Sequence, residues 1–448
     1  MARKSSSARR RQFLKSLGVG GAALLAGCTG NGGGSDNSGG DSGGGSGGDS
    51  GGDSGGSTQS IKFVHTSSFS GAIGELGPQF DDQAENIEFS ASGTPSESTT
   101  TRKYYVNQFI SQSSDFDLGM MDVIWPGEFV NNQWAGKVND PDGYTDKMLD
   151  TPVETVTVDD QLYGMPVFTD ANALYYRKDL LDKHGHEPPE TYMELVEIAQ
   201  DVLEKEDEID NGYIWQGGAN EGLTIMWLNW LWGYGGSVRQ DGKLKVNTEE
   251  GVKALQHAVD LIHEYGVTPE SVPASGTDGN RQTFQQGGTV FMRNWPYAVS
   301  LMNADDSPIQ GKFDVAKMPK AEGNPDANNS CLGGWNIFIN AYSDTPDAAQ
   351  RFASYMATKE VQETLAVDFS YLPVREDLYT DEYFEKAPHL ETFSEVLQQT
   401  SARPSTPKYS TFSEILYTEC NKALVQSKSP QQALDDAQEQ IDSEVNNA

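Results

Sequence analysis

Basic residues are scarce in this 448-residue chain, in which 32 lysines and arginines face 66 aspartates and glutamates. The formal net charge of −34 excludes nucleic acid as a partner and excludes docking on anionic lipid through charge, because both surfaces are themselves negative. The excess also limits what carboxylates can reveal. Among so many acids, a pair of carboxylates means little by itself.

Cysteine and histidine are rare as well. Of three cysteines, only Cys331 and Cys420 remain after Cys28, and they could form a disulfide or stay free thiols, since sequence does not give their separation. None of the six histidines has cysteine or carboxylate partners at metal-ligand spacing, so we expect no metal and no cofactor. A Gly-Lys-Ser/Thr phosphate loop is also missing, which excludes a P-loop ATPase activity for this chain.

The apolar run near the N-terminus, residues 17–26, is too short to cross a bilayer and follows a basic stretch at residues 9–15. This pattern predicts an export signal. Its adjacent arginines, followed by Phe-Leu-Lys, look like a twin-arginine signal, a route that exports folded proteins. The Leu-Ala-Gly-Cys motif ending at Cys28 resembles a lipobox, which implies cleavage before Cys28 and lipid attachment to it. The alternative is an ordinary signal peptide with an incidental cysteine.

Residues 29–58 are almost wholly glycine, serine, aspartate and asparagine, with repeated GGDS units. They carry no large apolar side chain to offset the entropy of ordering, so we expect a flexible tether. The predicted organisation is a signal peptide over 1–27, lipidated Cys28 with its tether over 28–58, and globular sequence from 59 to 448. Removing the six basic residues of the signal peptide would take the net charge from −34 to −40.

Short apolar stretches alternate with helical patterns from residue 59 onward, and no second low-complexity linker interrupts them. The strand candidates are Ile61–His65, Ile87–Ala91, Phe116–Ile124, Tyr163–Phe168, Leu174–Tyr176, Thr289–Met292, Phe313–Ala316 and Trp335–Ile339. Helix starts are marked by a capping box at Thr191, by Thr248, and by capping hydroxyls before Pro346 and Pro430. The alternation predicts an α/β architecture with mixed or mostly parallel sheets.

Ligand sites in such folds collect at the carboxyl ends of strands and in the loops beyond them. Asp122 and Asp170 end predicted strands, two glycines and Trp335 begin another, and Arg403 supplies a forked donor. A surface carboxylate or a core tryptophan would explain any one of these residues equally well.

Trp295 lies in the stretch TVFMRNWPYA at residues 289–298, where a short apolar strand meets a polar and aromatic turn. Pro296 favours an extended conformation for Trp295, so its ring could project as a platform for the apolar face of a sugar. The alternative is a core tryptophan. A similar choice applies to a second group of tryptophans, which either line a cleft or fill a buried helix, and the buried helix is favoured. This group consists of Trp215, Trp227, Trp230 and Trp232.

Taken together, these stretches resemble the sugar-binding lipoproteins of ABC import systems, most closely the archaeal and bacterial trehalose/maltose-binding group. Six blocks carry the resemblance, in the same order: YGMPVFTDANALYYRKDLL (163–181), PPETYMELVEIAQ (188–200), WQGGANEGL (215–223), FMRNWPYA (291–298), LGGWNIFI (332–339) and ARPSTPKY (402–409). It covers nearly the whole chain from about residue 60. The acidic excess also resembles the surfaces of halophilic archaeal proteins, in which molar salt screens self-repulsion.

The resemblance implies an α/β, type II periplasmic-binding-protein-like fold, with two lobes joined by hinge crossovers and the ligand in the cleft between them. Lobe one would hold 59–165 plus 337–380, and lobe two 166–334 plus 381–448. It also implies a monomeric capture protein rather than an enzyme, lipid-anchored at the extracellular face of the cell membrane. Its partners would be a sugar, a membrane permease and an ATPase on another chain.

The resemblance assigns several residues to the sugar site. They accept hydrogen bonds from sugar hydroxyls, donate hydrogen bonds to them or form aromatic walls. They are Asp122, Asp170 and Glu221 as acceptors, Arg102 and Arg403 as donors, Trp295, Trp335 and Tyr371 as aromatic residues, and Gly334 through its backbone. The chain departs from the pattern at Phe168, where relatives have tyrosine, and at Ser370-Tyr371, which replaces a Gly-Trp pair. Glu75 is only a candidate for an acid expected after the first strand.

These departures leave the ligand open among trehalose, maltose, a longer α-glucan and a monosaccharide. Two other functions also remain: an extracellular glycoside hydrolase that uses two cleft carboxylates, and the same fold binding a non-sugar solute such as a polyamine. Asn328 begins a glycosylation sequon on a predicted surface loop.

Overall fold

The computed structural model describes residues 58–447. The predicted signal peptide, the lipid attachment at Cys28 and all of the predicted tether except Thr58 lie outside these residues. Every helix within the described part of the chain is too short or too polar to cross a bilayer.

The described chain alternates strands and helices throughout. The strands are β1 (Gln59–Thr66), β2 (Ile87–Thr94), β3 (Leu118–Asp122), β4 (Thr157–Val158), β5 (Gln161–Leu162), β6 (Met165–Ala171), β7 (Ala173–Tyr176), β8 (Asn211–Ile214), β9 (Arg239–Gln240), β10 (Lys243–Leu244), β11 (Thr289–Asn294), β12 (Asp314–Ala316), β13 (Ser330–Ile339), β14 (Leu372–Pro373) and β15 (Thr400–Ser401). The α-helices are α1 (Ser70–Gln83), α2 (Ser98–Ile110), α3 (Pro126–Asn131), α4 (Asp150–Val156), α5 (Lys178–His184), α6 (Tyr192–Lys205), α7 (Glu221–Gly233), α8 (Glu249–His263), α9 (Thr277–Gln285), α10 (Ala298–Met302), α11 (Pro346–Met356), α12 (Lys359–Phe369), α13 (Asp381–Lys386), α14 (His389–Leu397), α15 (Tyr409–Leu424) and α16 (Pro430–Ile441).

Two sheets form the centres of the two lobes. The larger, seven-stranded sheet has the order β14-β6-β13-β3-β1-β2, with β15 paired to β13, and the smaller has the order β12-β7-β11-β8. In the larger sheet β1 runs parallel to β2 and β3, whereas β13 runs antiparallel to β3 and β6. All residues of β3, β6 and β11 are buried, as expected for strands covered on both faces. The predicted α/β architecture with mixed sheets is confirmed.

Only Asn172 separates β6, in the larger sheet, from β7, in the smaller one. The Asn172 side-chain oxygen accepts from the amide of Cys331 at 2.7 Å, and its carbonyl accepts from the Ser330 hydroxyl at 2.8 Å. The start of β13 is therefore tied to the place where the chain changes sheets. The predicted lobe boundaries fall inside β6 and just past the middle of β13, both of which pair in the larger sheet, and the lobe assignment itself stays a prediction.

Most of the predicted helix starts have the expected geometry. Thr191 forms a capping box with Glu194, and the Thr248 and Ser429 side chains also accept from amides of their first helical turns. The predicted cap at Thr345 is wrong. The Thr345 hydroxyl donates instead to the Asp117 carboxylate at 3.0 Å, and this carboxylate also accepts hydrogen bonds from other polar groups.

The tryptophan-rich helix α7 is buried, as favoured from its spacing. Trp227 and Trp230 are buried in one core cluster with Trp215, and Trp232 packs against that cluster from a half-buried position. Cys331 and Cys420 are both buried free thiols, and burial raises the pKa of the Cys331 thiol to about 11. The described fold contains no disulfide between them.

Candidate ligand-binding cleft

Three neighbouring strands bring the predicted site residues together. On β13, Trp335 lies opposite Asp122 of β3 on one side and opposite Phe168 of β6 on the other. Gly333 of the same strand lies opposite Asp170. The sheet register therefore places two carboxylates and one tryptophan side by side where these strands meet the second lobe.

These residues line a cleft that encloses about 690 Å³ of empty space, counting the part open to solvent. The lining residues include eight of the nine predicted at the sugar, namely Asp122, Asp170, Glu221, Trp295, Gly334, Trp335, Tyr371 and Arg403.

Gly334 is required by the backbone at the floor of the cleft. Its φ angle is +136°, and a Cβ atom there would lie 2.7 Å from the Phe168 carbonyl oxygen. The Gly334 carbonyl accepts from the amide of Val123 at 3.2 Å, next to a register shift that follows Trp335. In the structure Gly334 allows β13 to bend, and its carbonyl is already engaged by the protein.

Arg403 is the centre of a buried charge network. One guanidinium nitrogen donates to Asp122 at 2.9 Å and the other to Glu221 at 3.0 Å. Ser98 donates to the second oxygen of Asp122 at 2.8 Å. All three charged side chains are more than nine-tenths buried. Such a network stabilises a fold only while every charge keeps its partner.

Glu221 is held by hydroxyls as well as by Arg403. Its Oε1 accepts from Tyr409 at 2.7 Å and its Oε2 from Ser413 at 2.5 Å, both on α15. Burial raises the pKa of the Glu221 carboxyl, and the Arg403 charge and the two hydroxyls oppose that rise. Glu221 therefore anchors the start of α7 to α15 and presents little free acceptor capacity.

Asp170 differs from the other two acids because its Oδ1 atom is buried and has no hydrogen-bond partner. Burial, followed by the nearby Asp122 charge, raises its pKa well above the ordinary value, against the opposing charges of Arg293 and Arg403. A buried acceptor without a partner is costly, so its presence in a cleft indicates a place for a donor from a ligand.

Trp295 is half-buried and supported from behind. The Arg293 guanidinium carbon lies 4.1 Å from the centre of its ring, and a Cβ atom on Gly333 would approach the ring edge to 3.0 Å. The Tyr175 hydroxyl fixes its backbone by donating to the Trp295 carbonyl at 2.6 Å. The ring packs against the core cluster of the larger sheet from a half-buried position and borders the cleft.

The two other aromatic walls are also held in place. Trp335 packs edge-on against Trp125 with ring centres 5.3 Å apart. Tyr371 lies against Phe168 with ring centres 4.4 Å apart, and its hydroxyl donates to the Ser68 carbonyl at 3.0 Å. Phe168 lacks the hydroxyl of the tyrosine expected at this position, and the Tyr371 hydroxyl does not replace it because it already bonds to Ser68.

Arg102 is the predicted site residue that the structure does not bring to the cleft. It lines an adjoining groove with Tyr417, and its Nε donates to Glu128 at 2.8 Å. Glu75 is exposed on α1, outside the cleft lining. The helical turn that begins α2 aims Ser98 at Asp122 and leaves Arg102 one turn further away.

Several lining residues escaped sequence analysis. They are Ser68, Ser96, Glu97, Ser98, Gly222, Ile225, Thr277 and Tyr297. The run from Ser96 to Thr101 is dense in hydroxyls and joins β2 to α2, and this density at a strand-to-helix junction was the available signal. Among residues 58–447, no group of three or more His, Cys, Asp or Glu side chains is arranged to hold a metal ion.

Comparison with known proteins identifies the family. The sequence model described as "Bacterial extracellular solute-binding protein" matches residues 64–363. The chain belongs to this family. A probable ABC transporter-binding protein of Deinococcus radiodurans is 34% identical over 389 residues, which is 83% of this chain and 92% of the relative. A mannitol-binding protein of Pseudomonas aeruginosa is 26% identical over 70% of this chain and 73% of its own length.

Among solved structures, the maltose-bound T. maritima MalE3 superposes with a TM-score of 0.80 at 34% identity, covering 85% of this chain and 98% of that chain. The type II, two-lobed fold of the solute-binding proteins is therefore confirmed. The family consists of substrate-binding proteins of ABC transporters that work outside the cytoplasm, and the matched relatives are binding proteins rather than enzymes.

Proposed function

We propose that this solute-binding protein captures a sugar, in the first place a disaccharide such as maltose or trehalose, and delivers it to an ABC permease. The observation that carries the proposal is the partnerless Oδ1 of buried Asp170 in a cleft bordered by the half-buried rings of Trp295 and Trp335. A pyranose supplies a hydroxyl donor for the Asp170 oxygen and an apolar C–H face for the two rings.

The proposed division of labour follows from the contacts. Stacking on Trp295 and Trp335 contributes on the order of 1 kcal/mol per ring beyond area burial and tolerates many sugars. A hydrogen bond from a sugar hydroxyl to the Asp170 carboxylate is worth about 1.5–3 kcal/mol and depends on hydroxyl position. Arg403 binds both Asp122 and Glu221, so we assign these three residues to holding the cleft in shape. We also assign to them secondary contacts with the sugar, together with Tyr371 and Gly334. Arg102 is left out because Glu128 occupies its guanidinium.

The maltose-bound relative at 34% identity supports an α-glucoside, since that level of identity extends over most of both chains. The mannitol-binding relative supports polyhydroxylated ligands more generally. For the cellular setting we propose a monomer anchored by lipid on Cys28 to the outer face of the membrane, with the ATPase on another chain and with an acidic surface suited to molar salt.

The test is a calorimetric titration of the purified chain in molar KCl with maltose, trehalose, glucose and a polyamine. We expect saturable one-to-one binding of a disaccharide and, in Asp170→Asn, an affinity at least tenfold weaker. Glu75→Gln is the matched control, because it removes an exposed acid outside the cleft and should bind like the wild type.

Three outcomes would contradict the proposal. Binding of the polyamine alone would assign the cleft to a cationic solute. Turnover of a chromogenic glycoside by the pure protein, abolished in Asp170→Asn, would make it a hydrolase that uses the raised pKa of this carboxyl. Equal affinity in Asp170→Asn and wild type would move the sugar away from Asp170.

A further inference from the structure

Four consecutive residues, Ser96–Thr99, join the lobe of the larger sheet to the lobe of the smaller one; we call them the latch segment. They run from the loop after β2 into the first turn of α2, and α2 packs in the core of the larger sheet through Tyr105 and Phe109. Ser98 donates to Asp122 of β3, whereas the partners of the other three residues lie at the starts of α7 and α9. Those two helices pack in the cores that surround the smaller sheet.

The contacts of the latch segment are specific hydrogen bonds. The Ser96 hydroxyl donates to Asp278 at 2.6 Å, and the Glu97 carboxylate accepts from the backbone amide of Thr277 at 2.9 Å. The Thr99 hydroxyl accepts from the backbone amide of Glu221 at 3.1 Å. Both amides belong to the first residues of helices, whose N–H groups have no partner within the helix. The bonds involving Glu97 and Asp278 are also charge-assisted, which makes them stronger than bonds between neutral groups.

Gly276 shows how closely the lobes meet here. A Cβ atom at this residue would lie 2.1 Å from Oε1 of Glu97, although its backbone, with φ −108° and ψ −174°, suits any residue. The glycine is therefore needed for the contact between lobes and not for the local fold of lobe two. Because Ser96, Glu97, Ser98 and Thr277 also line the cleft, the same contact closes one side of the ligand site.

We propose that the latch segment stabilises the closed arrangement of the lobes through bonds that involve no ligand atom, and that it thereby tightens ligand binding. When only a fraction of the protein is in the binding-competent state, the apparent affinity is reduced by that fraction, so contacts that raise this population tighten binding. The affinity part rests on the proposed function, whereas the closure part is measurable without any sugar.

The decisive variants are Glu97→Ala, Gly276→Ala and the double variant, with Glu97→Gln as the conservative control. Hydrogen exchange without ligand reports on the amides of Thr277 and Glu221. We expect both single variants to accelerate exchange about tenfold at Glu221, whose own partner Thr99 is untouched, because one charge-assisted bond is worth about that factor. Glu97→Gln keeps an acceptor for Thr277 and should stay close to wild type.

Maltose or trehalose affinity gives the second readout. Each single variant should weaken binding about tenfold, and the double variant no further, since both substitutions remove one and the same contact. Losses that add up in the double variant, or unchanged exchange at Glu221 in both single variants, would overturn the latch. If wild-type protein binds none of the sugars while the exchange pattern holds, the proposed function fails and the latch stands. Should Gly276→Ala not fold, Thr99→Ala provides the corresponding comparison at the amide of Thr277, whose own partner Glu97 is untouched in that variant.

Discussion

The guanidinium of Arg403 donates to the carboxylate of Asp122 at 2.9 Å, across 281 positions of sequence. Asp122 ends β3 in the larger sheet, and Arg403 precedes α15, which packs in the core beside the smaller sheet. The ligand cleft is thus bounded by an ion pair that joins the end of β3 to the segment leading into α15. The stability of this ion pair determines how the cleft responds to mutation.

Replacing Arg403 with methionine is expected to cost about 3–5 kcal/mol of unfolding free energy, because it leaves Asp122 and Glu221 buried without their countercharge. Urea denaturation measures this loss. Arg102→Met is the matched control: its partly exposed pair with Glu128 should contribute about 1 kcal/mol or less. Similar losses in the two variants would mean that the Arg403 network is not buried in solution.

Asp170→Asn is expected to stabilise the ligand-free protein at neutral pH. The pKa of the Asp170 carboxyl is raised in the folded protein, so ionisation at pH 7 stabilises the unfolded chain more than the folded state. This penalty disappears as the pH falls towards the ordinary value of 3.8, so the two proteins should converge there. Thermal unfolding from pH 7 to pH 4 checks the prediction, and a wild type that is more stable than the variant at pH 7 would contradict it.

Trp295→Ala is expected to weaken sugar binding about tenfold while shifting the ligand-free melting temperature by only a few degrees. The ring lies beside Arg293 and packs against a core cluster without being fully buried, so its loss costs less stability than the loss of a fully buried ring. Calorimetry and differential scanning calorimetry give the two numbers. Trp227→Phe, in the core of α7, is the contrast, with lower stability and unchanged affinity. A large loss of stability in Trp295→Ala would return this ring to the core.

His257 is expected to make the fold sensitive to mild acid. It is buried against Tyr192, with ring centres 4.6 Å apart, and burial lowers its pKa from 6.5 to about 4. The unfolded chain therefore binds the proton first, and stability falls by about 3 kcal/mol as the pH drops from 6.5 to 4. His257→Phe should flatten this part of the stability profile relative to wild type, whereas His263→Gln on the same helix should not. Parallel profiles for all three proteins would be incompatible with this role.

Local sequence pattern predicted the elements that carry the site better than the contacts within it. Asp122, Asp170 and Trp335 were recognisable because alternating apolar runs locate strand ends, and strand ends locate clefts. The pairing of Arg403 with Asp122 and Glu221 was not predictable, since it depends on how two distant segments meet after folding. Arg102 shows the same limit: its type fits a sugar donor, but the face of α2 on which it lies directs it to Glu128.

The latch segment illustrates a different limit. Ser96, Ser98 and Thr99 were visible as a run of hydroxyls, yet hydroxyls before a helix ordinarily serve its own first turn. Here the structure gives no side-chain cap at the start of α2: Ser96 bonds to Asp278 and Thr99 to the amide of Glu221, whereas Ser98 donates to Asp122 of the larger sheet. Only the tertiary arrangement distinguishes the two uses.

The two buried thiols have a consequence for where this protein folds. Because Cys331 and Cys420 are buried and unpaired, the described fold needs no oxidation step. Reducing and oxidising solutions should therefore support the same structure. The chain can complete its folding before it leaves the cytoplasm, which is the order of events that export through a twin-arginine pathway would demand.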